Sequence, residues 1–196
     1  MYVDHFRRAI SFLRNNKIVT LTNSLGTTGV VALWVAFVFI TLMGFSLNNM
    51  KAFDPYGDMT FGSTLMTYER QLFDELSRRD IKPGTIVHLT GEQNCLCDSV
   101  ADKFRSQLDK NLEIDGYQAV TLRINEKDPM RRFIPSTPSV VIINSDGGLE
   151  YVGPYAQGLG CYSGNGDIDK ISDIVTDNNV PGAIVNAEAV GCYCYR

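Results

Sequence analysis

Two kinds of residue are scarce in this chain, and each scarcity closes off a class of function. Only two histidines occur among 196 residues, His5 and His88. No Ser/His/Asp catalytic arrangement can be assigned from so few, because that chemistry needs a histidine beside its nucleophile. Basic charge is in deficit, 18 Lys and Arg against 22 Asp and Glu. The net charge is −4, and residues 1–28 hold Arg7, Arg8, Arg14 and Lys17 against Asp4 alone, so everything after them sums to −7. An acidic body lacks the cationic face that phosphate contacts demand, which excludes nucleic acid as a partner. Cysteine is absent from the first 94 residues, and charge is absent from Ile18 to Met50.

That uncharged stretch contains the apolar run Gly29 to Leu47, with the single tryptophan, Trp34. It is long enough to cross the hydrocarbon layer as a helix. A cleaved signal peptide is the rival reading. The long polar leader, the length of the apolar run and the lack of a small-x-small cleavage site favour an uncleaved anchor. Four Lys/Arg precede the span and only Lys51 follows closely. The positive-inside rule then predicts a cytoplasmic basic leader over 1–28, a transmembrane helix over 29–50 in the inner membrane, and a domain on the far side. In a bacterium that space is the periplasm, where disulfides persist.

Residues 51–63, punctuated by Pro55, Gly57 and Gly62, read as a linker. The domain proper is then 64–196. Leu65, Tyr68, Leu72 and Leu76 predict a helix, ended by Lys82-Pro83-Gly84. Thr85 to Leu89 is a short buried strand. A second helix is predicted from about Ser99 to Leu112, where Val100, Phe104, Leu108 and Leu112 recur every fourth residue. Strands follow at Tyr117–Ile124 and Val140–Ile143. Asp146-Gly147-Gly148 supplies a hairpin turn into a strand at Leu149–Gly153. Ile168, Ile171, Ile174 and Val175 mark a last helix before a tail of some strand character.

The chemistry lies in five cysteines: Cys95, Cys97, Cys161, Cys192 and Cys194. Cys95-Leu96-Cys97 falls at the turn from a strand into a helix, where partial positive charge and free N–H groups stabilise a thiolate. Thiol–disulfide exchange is one reading, with Cys95 attacking and Cys97 resolving. Structural pairing with the distant cysteines is another. For Cys161, a bond to Cys192 or Cys194 is the plain expectation, because small exported domains often staple their tails; a relay from a mobile tail is the alternative. Cys-x-Cys pairs are also soft ligands for copper or zinc; the two pairs, Cys95/Cys97 and Cys192/Cys194, could build a site with His88, and His88 with Cys95 and Cys97 is its candidate core. A lone strand histidine is more often simply packed or hydrogen-bonded. Otherwise no cofactor is expected.

The order from Thr85 is strand, cysteine turn, helix, strand, loop ending in Thr137-Pro138, strand, glycine turn, strand, helix. It resembles the thioredoxin-like fold across roughly residues 64–180, and the whole chain is similar to membrane-anchored bacterial thioredoxin-like domains. The resemblance implies an α/β domain with a mixed sheet flanked by helices, behind one transmembrane helix. It also implies a cis proline at Pro138, with Thr137 before it, shaping a groove for the substrate chain beside the cysteines. Exported thiol proteins or a redox partner would be the clients. One departure stands out: the family's usual motif is Cys-x-x-Cys, and this one is a residue shorter. A disulfide within Cys95-Leu96-Cys97 would close a tight ring, and strain raises reducibility, which favours an oxidant or isomerase over a reductant. Asp98 would raise a neighbouring thiol's pKa, against strong activation.

Overall fold

The computed structural model describes residues 26–48, 50–64, 67–92, 95–164, 166–177 and 182–194. It divides into two compact units, 1–48 and 49–196. Most of the expected basic leader, with His5, lies outside the described residues.

In the first unit, helix α1 runs Gly26–Asn48. Its 23 residues rise about 34 Å at 1.5 Å each, enough for a hydrocarbon core of about 30 Å. Leu33, Phe37, Ile40 and Leu42 are among its exposed apolar side chains. The Thr41 hydroxyl donates to the Phe37 carbonyl at 2.8 Å, so this polar group is satisfied within the helix. By length and composition α1 suits a membrane anchor, and a signal sequence meets the same criteria.

The second unit is a mixed α/β domain. In chain order it contains β1 (Met50–Ala52), α2 (Asp58–Ser63), α3 (Tyr68–Ser77), β2 (Thr85–Gly91), α4 (Leu96–Glu113) and β3 (Gln118–Ile124). A single 3-10 turn at Pro129–Arg132 precedes β4 (Ser139–Ile143) and β5 (Leu149–Gly153). Then come α5 (Gly160–Ser163), α6 (Ile168–Thr176), β6 (Ile184–Val185) and β7 (Val190–Cys192). Five strands form one sheet in the order β3-β2-β4-β5-β6. β2 and β3 are parallel and joined by α4, as a crossover requires. β4 runs antiparallel to both β2 and β5, and β6 returns parallel to β5.

Strand alternation divides the core in two. Val87, Leu89, Val141 and Ile143 face one layer with Leu72, Leu76 and Met130. Ile86, Val140 and Ile142 face the other with Phe104, Leu108, Leu112, Ile168 and Ile171. β4 is buried along its whole length, as a central strand covered on both faces must be. The Gly147 turn closes with φ +85°, and the Asn144 side chain accepts from the Asp146 and Gly148 N–H groups.

The segment 51–63 is not a linker. β1 pairs antiparallel with β7, and Phe53 and Met59 are fully buried. The Phe53 N–H donates to the Ala189 carbonyl at 2.7 Å, and the Ser136 hydroxyl donates to the Phe53 carbonyl at 2.6 Å. Pro55 and Gly57 mark a turn here, but Gly62 lies inside α2, and two isolated apolar residues carried no periodicity to reveal their burial. Leu65, expected on the face of α3, lies outside the described residues; Tyr68, Leu72 and Leu76 are buried as the spacing predicts.

A cysteine ladder between a helix start and the tail

α4 begins three residues earlier than its periodicity suggested, so Cys95 is its N-cap and Cys97 sits in its first turn. Cys95 is extended, with φ −90° and ψ 135°, and its side chain caps no N–H. A thiol in place of the usual Ser, Thr, Asp or Asn leaves the first-turn amides free of a side-chain cap. Cys97 turns inward among Ala101, Phe104 and Ile142.

Opposite them lies the tail. β7 continues past Cys192 to Cys194, which pairs as an isolated antiparallel bridge with Thr137. The two residues exchange both backbone hydrogen bonds, Thr137 N to Cys194 O at 3.2 Å and Cys194 N to Thr137 O at 2.7 Å. Successive strand side chains point to opposite faces, so Cys192 and Cys194 share one face and Tyr193 takes the other. Tyr193 is buried edge-on against Phe53, with ring centroids 5.1 Å apart, and its hydroxyl donates to the Ala156 carbonyl at 2.7 Å.

The cysteines therefore meet pair against pair. Disulfides join Cys95 to Cys194 and Cys97 to Cys192, with Cα separations of 6.4 and 5.4 Å. Two expectations are corrected. Cys95 and Cys97 are not bonded to one another, so the tight one-residue ring does not form. Cys161 is not bonded to the tail; it is buried and free, and its sulfur accepts the Cys192 N–H at 3.3 Å. Burial pushes the Cys161 thiol pKa up, away from thiolate character.

The two bridges differ in access. Cys95 and Cys194 are half-buried and line a cleft of about 420 Å³ with Gly91, Glu92, Arg131 and Thr137. Cys97 and Cys192 are buried. The Thr137–Pro138 peptide is cis, and Pro138 flanks the inner bridge, sharing with Cys97, Cys161 and Cys192 a cavity of only about 10 Å³.

Asp98 is not aimed at the thiols by any hydrogen bond. Its carboxylate accepts from the Gly91 N–H and from Arg105, each at 3.3 Å. Burial raises its pKa, opposed by the Gly91 N–H and the Arg105 guanidinium. His88 is equally committed elsewhere. Nδ1 lies 2.7 Å from the Tyr155 hydroxyl and Nε2 lies 2.7 Å from the Asp109 carboxylate. With both nitrogens engaged, the Cys95–Cys97–His88 metal set is not assembled. Burial, only partly offset by Asp109, holds the His88 pKa below its ordinary value.

A family model described as a domain of unknown function (DUF6436) matches residues 63–196. The chain belongs to this family. No curated protein and no solved structure matches it. The matched region contains all five cysteines and the cis proline, and it begins at the last residue of α2. β1 and the buried Phe53 and Met59 precede it, although they pack into the same unit.

Sequence reasoning found every cysteine but not the pairing. The available signal was the equal spacing of the two Cys-x-Cys pairs, one of them preceded by strand-like Val190. Arg131 was overlooked. It is buried at the cleft wall and donates to the Asn125 and Pro135 carbonyls, a role that no local pattern announces.

Proposed function

We propose that this is a membrane-anchored thiol–disulfide exchange protein on a thioredoxin-like scaffold, with Cys95 as the exchanging residue. The observation that carries the reading is the half-buried Cys95–Cys194 bridge on the wall of the cleft. There Cys194 is docked on the backbone of Thr137, the residue before the cis proline. An extended strand bearing a cysteine, paired to that backbone and joined to the cysteine at a helix start, is an intramolecular mixed disulfide. The tail thus occupies the position that the resemblance assigns to a client chain. The strand order β3-β2-β4-β5, with α4 crossing from β2 to β3, supports the scaffold.

In the exchange step a client thiolate attacks the Cys95 sulfur. A client–Cys95 disulfide forms, the Cys95–Cys194 bond breaks, and Cys194 leaves as a thiolate. A second client thiolate then attacks the client sulfur of that mixed bond. This forms the client disulfide and releases Cys95 as a thiolate, which the first-turn N–H groups of α4 stabilise. The client loses two electrons and the Cys95/Cys194 pair gains them. Cys194, rather than Cys97, is the resolving partner, because Cys97 is held by Cys192.

The clients are exported proteins with free thiols. α1 acts as an uncleaved inner-membrane anchor with the basic leader in the cytoplasm, which puts the cysteines in the periplasm of a bacterial cell. A reporter fused after Arg196 should be active only in the periplasm; activity in the cytoplasm would overturn this topology.

The direct test equilibrates the full chain in detergent with glutathione redox buffers and maps the cysteines by alkylation and mass. The expected result is reversible opening of Cys95–Cys194 within the buffer range, with Cys97–Cys192 still closed. The burial of Cys97–Cys192 and the β1–β7 pairing favour a second reading, a stapled tail without exchange. A Cys95–Cys194 bond that stays closed in every glutathione buffer while the protein is folded would favour the staple and remove the exchange proposal.

A further inference from the structure

We propose that, with both disulfides reduced, the same four cysteines form a tetrathiolate site for one Zn(II) ion. This rests on the sulfur geometry and not on the exchange reaction. The sulfurs of Cys95, Cys97 and Cys194 lie within 4.8 Å of one another, and Cys192 is bonded to Cys97. Zn–S bonds of about 2.3 Å in a tetrahedron set neighbouring sulfurs about 3.8 Å apart. Cys95, Cys97 and Cys194 already span no more than 4.8 Å; Cys192 lies outside that set, and once its bond to Cys97 is reduced its side chain rotates to join them.

The tail does not need its disulfides to stay opposite α4. β7 pairs with β1 over Met50–Cys192, Lys51–Gly191 and Ala52–Val190, and Thr137 holds Cys194 by two backbone bonds. The Tyr193 hydroxyl is fixed on the Ala156 carbonyl inside the core. Two Cys-x-Cys pairs then present four soft ligands from two anchored segments, a donor set suited to zinc. The first-turn amides of α4 supply N–H donors to thiolate sulfur, which helps to hold the negative charge of a four-thiolate centre. His88 contributes nothing, and Cys161 stays outside the ligand set.

The balance is simple. A dithiol reductant gives two electrons and two protons to each disulfide, producing four thiols and two oxidised dithiols. Zn(II) then binds with loss of four protons, leaving a centre of net charge −2. Oxidation releases the ion, so metal-bound and disulfide forms exclude one another.

The test uses the full chain in detergent, reduced anaerobically with a phosphine that is then removed, and titrated with Co(II) as the probe before Zn(II). One Co(II) per chain is expected, with the thiolate charge-transfer and visible bands of a tetrahedral sulfur site, displaced by one Zn(II). Bound Zn(II) should protect four of five thiols from alkylation. Cys161→Ser should leave all of this unchanged. Cys194→Ser and Cys192→Ser should each lower affinity by more than the roughly 100-fold typical of outer-shell changes. Circular dichroism on each sample separates ligand loss from unfolding. A reduced wild-type chain that gives no tetrahedral Co(II) spectrum, whether folded or unfolded, overturns the proposal. So does a spectrum that survives loss of both Cys192 and Cys194. Neither result touches the exchange reading, which is measured on the metal-free oxidised chain.

Discussion

The two bridges are nested, and nesting makes their contributions to stability strongly unequal to the sum of their parts. Cys95–Cys194 and Cys97–Cys192 span 99 and 95 residues of sequence. On the chain-entropy model, closing a loop of about 100 residues stabilises by about 4.7 kcal/mol. Once either bridge exists, however, the other closes only a ring of about six residues, for which the same relation gives ~2 kcal/mol. Removing one bridge should therefore cost ~2 kcal/mol, and removing both ~7 kcal/mol. The variants are Cys95→Ser/Cys194→Ser for the outer bridge, Cys97→Ala/Cys192→Ala for the buried inner one, and the quadruple change. Near-UV dichroism is a suitable signal during guanidinium unfolding of the full chain in detergent, because Tyr68, Tyr151, Tyr155 and Tyr193 are all buried in the second unit. Two mild single effects and a severe combined one are expected. Additive losses, in which each pair removed costs half of the total, would refute the nested connectivity.

Three other outcomes follow from particular contacts. A methyl group at Gly191 would sit 2.8 Å from both the Cys161 sulfur and the Tyr193 hydroxyl; Gly191→Ala should displace the tail, cost about 1–3 kcal/mol in the denaturant midpoint, and quicken opening of the outer bridge by glutathione. Phe53→Ala should cost about 3–5 kcal/mol, and a chain shortened to begin at Thr64 should be less stable still; a shortened chain with an unchanged midpoint would contradict the burial of 51–63. The pH dependence comes from His88, whose pKa burial lowers on folding. The unfolded chain then binds the extra proton first, so stability falls as pH drops below about 6.5 towards the depressed folded value. His88→Gln should flatten that slope between pH 7 and 5.5, and an unaltered slope would mean that folding does not shift the His88 pKa.

Much of the framework was legible because periodicity reports burial. Leu108 and Leu112, Val140 to Ile143, and Ile168 and Ile171 announced α4, β4 and α6 through spacing alone. β1, α2 and β7 escaped because each is too short to complete a period, and their partners are distant in sequence: Met50 meets Cys192, and Phe53 meets Tyr193. The candidate site divides the same way. A turn from strand to helix identified Cys95 and Cys97, and Thr137-Pro138 was found by its place before a buried strand. Disulfide connectivity is a property of the folded chain, decided here by which strand lies against Thr137, and no local pattern encodes it.

The shortened motif makes sense once the tail is opposite it. A Cys-x-Cys on a strand holds both sulfurs on one face, with Cα atoms about 6.6 Å apart along the chain. A second Cys-x-Cys at an extended N-cap and first helical turn offers two more at a similar step, so the pairs can join as two rungs. An added residue in either motif would break that match. The rungs also differ in exposure: Cys95 and Cys194 face the cleft, whereas Cys97 is 9% and Cys192 3% exposed. Thiol–disulfide exchange requires access to a sulfur, so stepwise reduction should open the outer rung first and leave the inner one holding the tail. Quenching a reductant titration with an alkylating agent should trap a species labelled at Cys95 and Cys194, with Cys97–Cys192 intact. Trapping the inner pair first, or only the fully reduced chain, would mean that access to Cys95–Cys194 through the cleft does not set the order of reduction.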